Sequence, residues 1–221
     1  MIEELNDLYK LHLIALKLDH AIKYGSENNC ENNCQWKRFS PSKFVYSYFV
    51  FNSLFSKDWA GSTVQLIELD RYETKEFERI KAMLEFIGQN RFRESLAGRI
   101  EGHLDTFGMN VTAAKNRLLE IHSPARGISP EAFRSAFDSV MQRQENGELM
   151  EEVKKVVEFV YGVRCNIFHG SKAIYQLLED EEQIERLKIY TAILFAVNEL
   201  LFEAVSEKFP EWAPDPALSI Q

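Results

Sequence analysis

The chain has 221 residues, of which 45% are hydrophobic and 12% aromatic, enough to build the core of one large domain. The formal net charge of −8 argues against a protein that coats nucleic acid through bulk positive charge, although a local cationic patch is compatible with it. No unbroken apolar run approaches the ~20 residues of a membrane-spanning helix, and the first residues are acidic where a signal peptide carries basic ones. We therefore expect a cytoplasmic protein that has no membrane partner.

Apolar residues recur at spacings of three and four along most of the chain, which indicates α-helices. The predicted helices cover residues 2–24, the stretch "SPSKFVYSYFVFNSLFSKDW" (40–59), 66–88, two shorter segments within 91–121, a stretch at about 130–142 that begins with a proline, the stretch after Gly147 and roughly 182–208. A polar loop that contains Gly25 is predicted for 25–40. The second helix begins at Ser40 or Ser42 around Pro41, and its interior is almost entirely apolar and aromatic, so we expect it to be buried on most sides. Gly88 is the expected end of the third helix.

No segment shows the clean alternation of apolar and polar residues that a half-buried strand requires. The sequence therefore predicts an all-α protein, an antiparallel helical bundle formed by residues 1–209 as a single domain. Residues 60–142 are a candidate inserted helical segment, and residues 210–221 form a Pro-rich extended tail that could pack through Trp212.

Three cysteines fit a reducing compartment better than a disulfide framework. Cys30 and Cys34 occur in the tandem "ENNCENNC", where the spacing would suit half of a zinc site, with His12 and His20 as possible further ligands. The Asn-rich surroundings favour a solvated loop instead, and we expect neither a metal nor another cofactor.

The stretch "VYGVRCNIFHGSK", residues 160–172, places Arg164, Asn166 and His169 within six residues near the end of a predicted helix. On an ideal helix Arg164 falls about 20° from Val153, inside a stripe of valines, whereas Asn166 and His169 face away from it. An arginine within a buried stripe is costly unless its charge is paired or faces a cleft.

Two interpretations of this stretch follow from the residues alone. In the structural one, Arg164 pairs with Glu199 or Glu203 on the last helix, and His169 stabilises the helix end. In the functional one, the three polar residues cleave RNA through its own 2′-hydroxyl. Histidine transfers the proton, arginine stabilises the phosphorane, and asparagine positions the hydroxyl or the imidazole. Arg164 and His169 are about 140° apart on one helix, so a helix break or a dimer must bring them together.

The motif "RCNIFHG" and the helix "FVYSYFVFNSLFSKDW" resemble the HEPN superfamily (higher eukaryotes and prokaryotes nucleotide-binding domains), in particular its Apea-like and related bacterial branches. Many members are metal-independent ribonucleases of toxin–antitoxin, CRISPR and antiviral systems. The resemblance implies that Arg164 and His169 are the catalytic pair, that Asn166 assists them, and that a homodimer lines one cleft with two motifs. One position differs, because Cys165 stands where active members carry a polar residue, and Asn166 could take that role.

The resemblance covers two helices and none of residues 60–140. It implies an RNA substrate and a possible cognate antitoxin or regulatory partner. Lys172 adjoins the motif and is the expected RNA-binding cation, with Lys115, Arg117 and Arg126 as further candidates. Asn52 in the aromatic helix could face the same cleft or be a satisfied core amide. A non-catalytic HEPN-type dimerisation or nucleotide- and partner-binding module is the alternative function, and a structural helical scaffold is a third.

Overall fold

The computed structural model describes residues 2–24, 41–55, 76–125, 127–143, 148–168, 181–210 and 212. The protein is an all-α helical bundle, and the described residues contain no strand. An isolated β-bridge joins Ala125 to Ile128. The fold class predicted from helical periodicity is therefore confirmed.

The helices follow the predicted order closely. They are α1 (Ile2–Tyr24), α2 (Ser42–Phe55), α3 (Glu76–Ile87), α4 (Gln89–Arg91), a π-helical segment (Phe92–Leu96), α5 (Ala97–Thr106), α6 (Val111–Leu118), α7 (Pro130–Met141), α8 (Leu149–Phe168) and α9 (Glu181–Lys208). The loop predicted for 25–40 and the start of the helix predicted from residue 66 lie outside the described residues.

Residue chemistry at the helix ends explains several boundaries. The hydroxyl of Ser129 accepts a hydrogen bond from the backbone N–H of Ala132 at 3.1 Å and so caps α7, whose first residue is Pro130. Gly88 ends α3 with a φ of +90°, a conformation that a side chain would strain. The predicted start of α7 at Pro130 and the predicted end of α3 at Gly88 are both correct.

Helix α9 lies at the centre of the bundle. Every residue from 187 to 198 is buried, and α2, α3, α5 and α6 all contact this helix. By length and composition α9 is also long and apolar enough to cross a membrane, although charged residues interrupt its apolar sequence, and most of its apolar stretch is buried inside the protein. The core helix of a globular bundle has the same properties.

The other helices pair around this centre. Helix α1 packs on α2, and α7 packs on α8, where the rings of Phe133 and Phe159 stack with centroids 4.1 Å apart. One apolar core contains residues from α1 through to Trp212. Helices α3, α5 and α6 contribute to that core. That residues 60–142 are an inserted segment stays a prediction.

The tail packs onto the bundle at Trp212, as the sequence analysis suggested. This side chain is buried, its indole N–H donates a hydrogen bond to the side-chain oxygen of Asn6 at 3.0 Å, and its ring stacks on Phe202. The contact connects the end of the described chain to both α1 and α9.

Candidate functional site

The predicted catalytic motif is only partly within the described structure. The backbones of Arg164 and Asn166 lie in the last turn and a half of α8, which ends at Phe168. Their side chains, and His169 and Lys172 altogether, lie outside the described residues. The structure therefore places the first two motif positions on a helix and does not describe the geometry of the motif as a site.

The helix that carries the motif is buried along the side predicted from the sequence. Val153, Val157 and Val160 are almost fully buried, and Arg164 follows Val160 by four residues in the same helix. Position 164 therefore continues the register of this buried stripe.

The two helices of the family resemblance contact each other close to the motif. Tyr161, three residues before Arg164, packs against Tyr48 at 6.0 Å and against Phe55 at 5.4 Å between ring centroids. The hydroxyl of Tyr48 donates a hydrogen bond to the side-chain oxygen of Asn52 at 3.0 Å. Asn52 is half-buried and bonded within its own helix, and whether it reaches a catalytic cleft stays a prediction.

The candidate RNA-binding cations within the described residues are both in ion pairs. The ammonium of Lys115 lies 2.8 Å from Asp138, and the guanidinium of Arg117 lies 2.8 Å from Glu120. Both belong to α6, and Arg126 lies outside the described residues. These pairs reduce the positive charge that the two residues could offer to a phosphate backbone.

A separate group of polar residues, which the sequence analysis did not assemble, joins α1, α5 and α9 around Glu199. The Nε2 atom of His103 lies 3.0 Å from Oε1 of Glu199, and Arg99 donates a hydrogen bond to Oε2 at 3.1 Å. Arg99 also donates to Glu203, one turn further along α9. We call His12, Arg99, His103, Glu199 and Glu203 the Glu199 cluster.

The cluster forms because polar residues recur four positions apart on two helices whose polar faces meet. Arg99 and His103 are four residues apart on α5, as are Glu199 and Glu203 on α9, so each pair lies on one face of its helix. Residue 99 meets 203 and residue 103 meets 199, so the two helices run antiparallel. The π-helical segment directly precedes α5 and adds a residue to a turn, which sets the register of this face.

His12 is a member of the cluster whose ring nitrogens lack hydrogen-bond partners among the described residues. Its side chain is 2% exposed and packs against the rings of Phe195 and Phe202. Neither ring nitrogen has a hydrogen-bond partner among the described residues, since the Glu199 oxygen nearest to Nε2 is 3.8 Å away. A buried polar group without a partner is uncommon and calls for an explanation such as a bound water or ligand.

Burial and neighbours move three pKa values in the cluster, those of His12, Arg99 and Glu199, and the shifts of His12 and Glu199 decide its charge at neutral pH. Burial lowers the pKa of His12 below its ordinary value of 6.5, so the imidazole is neutral at pH 7 despite the nearby Glu199. Burial alone would raise the pKa of Glu199, but the hydrogen bond from His103 and the proximity of His12 outweigh it and hold that pKa well below its usual range. Glu199 is therefore a carboxylate at neutral pH.

An open cavity of about 500 Å³ adjoins the cluster. Tyr9, Leu13 and Phe202 are among its apolar lining residues. Its polar lining residues are His12, Arg99, Glu199, Glu203, Ser206 and Glu207. A volume of this size is typical of sites for small molecules.

The predicted half of a zinc site at Cys30 and Cys34 is not tested by the structure. Cys30, Cys34 and the side chain of His20 lie outside the described residues. Within the described part of the chain, no group of three His, Cys, Asp or Glu side chains is arranged to hold a metal ion.

Sequence spacing could have revealed the α9 half of the cluster. Glu199, Glu203 and Glu207 recur every four residues on a helix that is otherwise mostly apolar, and the sequence alone suggests the first two as partners for Arg164. Among the described residues, the ion-pair partner of both is Arg99. No local pattern connects His12, about 190 residues away along the chain, to this face.

Comparison of the chain with known protein families, with curated proteins and with solved structures found no match.

Proposed function

We propose that the protein is a metal-independent endoribonuclease of HEPN type, acting in the cytoplasm as a toxin or defence effector. The observation that carries this proposal is the contact between α2 and α8, the two helices of the resemblance. Tyr48 and Phe55 pack on Tyr161, one turn before Arg164. The all-α bundle agrees with the fold that the resemblance implies.

The proposed chemistry needs one proton-transfer group and one fixed cation. His169 takes the proton from a ribose 2′-hydroxyl, whose oxygen attacks the adjacent phosphorus. The bond from phosphorus to the 5′-oxygen breaks, that oxygen receives a proton, and the products are a 2′,3′-cyclic phosphate and a 5′-hydroxyl. Arg164 stabilises the charge on the pentacovalent phosphorus through its planar fork, and Asn166 orients the 2′-hydroxyl or the imidazole.

A homodimer is part of the proposal, because Arg164 and His169 face different sides of one ideal helix. Two copies of α8 that meet at their ends would place the arginine of one chain near the histidine of the other. A dimer would also give the charge of Arg164 a cleft to face, which a buried position in one chain does not.

The decisive experiment incubates RNA with purified wild type and with His169→Ala in the presence of EDTA. We expect cleavage by the wild type alone, with cyclic phosphate ends. His122→Ala is the matched control, because His122 is an exposed histidine on a loop and should leave cleavage intact. A wild-type dimer that leaves a varied panel of RNAs uncut would refute the ribonuclease proposal.

The second candidate function is a non-catalytic module that dimerises and binds a nucleotide or a partner protein. The net charge of −8, the position of Cys165, and the ion pairs of Lys115 and Arg117 favour it. Under this function, Arg164→Ala would weaken the dimer or its partner binding. It would relieve no growth inhibition in cells that express the protein, whereas a toxin would lose its toxicity.

A further inference from the structure

The cavity beside the Glu199 cluster has no role in RNA cleavage as proposed above. It lies between α1 and α9, with Arg99 of α5 at its side, and its residues do not overlap with the motif at the end of α8. Its lining combines an apolar wall with a set of ionised groups, which is the usual composition of a specific small-molecule site.

Charge is the first property that limits what the cavity binds. Three lining carboxylates, Glu199, Glu203 and Glu207, face one lining guanidinium, that of Arg99. Arg91 does not line the cavity but bonds to Glu207, so the three carboxylates and two guanidinium groups together carry one excess negative charge. Phosphates and carboxylates are therefore disfavoured, and a cation is favoured.

The unsatisfied imidazole of His12 is the second property, and it is independent of the acidic residues. Its two nitrogens are buried without hydrogen-bond partners among the described residues, and the side chain lines the cavity. A neutral imidazole has one nitrogen that accepts and one that donates a hydrogen bond. A ligand that brings an N–H donor would satisfy the accepting nitrogen and remove part of the cost of burying it.

The apolar wall is the third property. Tyr9 and Phe202 meet edge to face with centroids 5.2 Å apart, and Leu13 adjoins them in the lining. These side chains suit a hydrocarbon or aromatic body, and aromatic faces also attract a cation.

From these properties we propose that the cavity binds a small organic amine in its ammonium form. The apolar body of the amine lies against Tyr9, Leu13 and Phe202. The ammonium group carries three N–H donors, so it can donate to His12 and to the carboxylates of Glu199 and Glu203 together. This binding site is independent of the ribonuclease motif and does not require RNA.

The test uses three probes of nearly equal shape, measured by isothermal titration calorimetry at pH 7.5: 2-phenylethylamine, 2-phenylethanol and 3-phenylpropanoate. We expect the amine to bind at least about tenfold more tightly than the alcohol, a ratio that corresponds to ~1.4 kcal/mol, and the carboxylate not to bind. Equal affinity for amine and alcohol, or no saturable binding of the amine at millimolar concentration, would overturn the proposal.

Two variants connect the binding to named residues. His12→Leu removes the imidazole acceptor but leaves the carboxylates in place, so it should reduce the preference for the amine several-fold, while the leucine side chain keeps the core filled. Glu203→Gln removes a half-exposed carboxylate without changing shape, so it should fold normally and weaken amine binding several-fold. Glu101→Gln is the matched control, because Glu101 is an exposed carboxylate on α5 and should have no effect.

The ammonium could also belong to a lysine side chain of a partner protein. A fourth probe, Nα-acetyl-lysine N-methylamide, separates these two sources. Weaker binding than that of 2-phenylethylamine would support a free amine, and tighter binding would overturn that assignment in favour of a peptide lysine. An unchanged affinity of Glu203→Gln for every ammonium probe would contradict both sources.

Discussion

Nε2 of His103 lies 3.0 Å from Oε1 of Glu199, and this pair connects α5 to the central helix α9. The same carboxylate accepts from Arg99 and stands near the buried ring of His12, so one side chain of α9 joins three helices. Its position makes Glu199 important for the stability of the bundle as well as for the adjoining cavity.

Replacement of Glu199 by alanine should destabilise the protein strongly. It leaves Arg99 with one carboxylate partner instead of two and leaves His103 without its carboxylate acceptor. We expect a loss of about 3 kcal/mol in the free energy of unfolding, measured by urea denaturation at pH 7.5. Glu101→Ala on the exposed side of α5 is the control, and a loss of similar size in that variant would contradict a specific role for Glu199.

Stability should fall in two stages as the pH is lowered. The pKa of His12 is depressed in the folded state, so below about 6.5 the unfolded chain takes up a proton that the buried imidazole resists. The pKa of Glu199 is also depressed, so a second loss begins below its ordinary value of 4.5. Urea unfolding at a series of pH values from 7.5 to 3 would measure both stages.

His12→Leu isolates the first of these stages. Among the described residues, the titratable and charged groups near His12 are Glu199 on α9 and His103 on α5, with Tyr9 and Arg99 in the same cavity lining, and the variant leaves them all in place. We expect the variant to lose the decline that begins near pH 6.5 and to retain the decline that begins near 4.5. A curve identical to that of the wild type would show that another group titrates.

The tail contact should contribute measurably to stability. Trp212→Ala removes a fully buried ring that stacks on Phe202 and bonds to Asn6, and we expect a loss of about 3–5 kcal/mol. Phe49→Ala is the control because that ring is 45% exposed and its removal should cost much less. Thermal denaturation followed by circular dichroism would compare the two variants.

The guanidinium of Arg164 should be essential to RNA cleavage if the proposed function is correct. Arg164→Lys keeps the positive charge but loses the planar fork, so we expect cleavage to fall by at least about a hundredfold, as for other losses of a transition-state donor. Arg134→Lys, a conservative change in an arginine on α7 that pairs with Glu131, should retain full cleavage. Full activity of Arg164→Lys would indicate a purely electrostatic role.

Local patterns predicted the helices well, because the face that a helix buries determines the spacing of its own apolar residues. The aromatic run of α2 and the proline at the start of α7 both led to correct elements. The stretch from Gly88 to Thr106 was predicted less well, since a π-helical turn has no sequence signal as clear as a proline or a cap. Pairings such as that of Glu199 with Arg99 depend on which helices become neighbours, which periodicity does not encode.

The sequence by itself determined the all-α class, most helix boundaries and the positions of Arg164 and Asn166 near the end of a buried helix, because these follow from the chemistry of neighbouring residues. Only the tertiary structure brought His12, Arg99 and Glu199 together, because these residues lie on three helices that are far apart along the chain. The register of α5 against α9 decided which carboxylates meet which cations, and the packing of α1 beside them left an imidazole buried at the wall of a cavity.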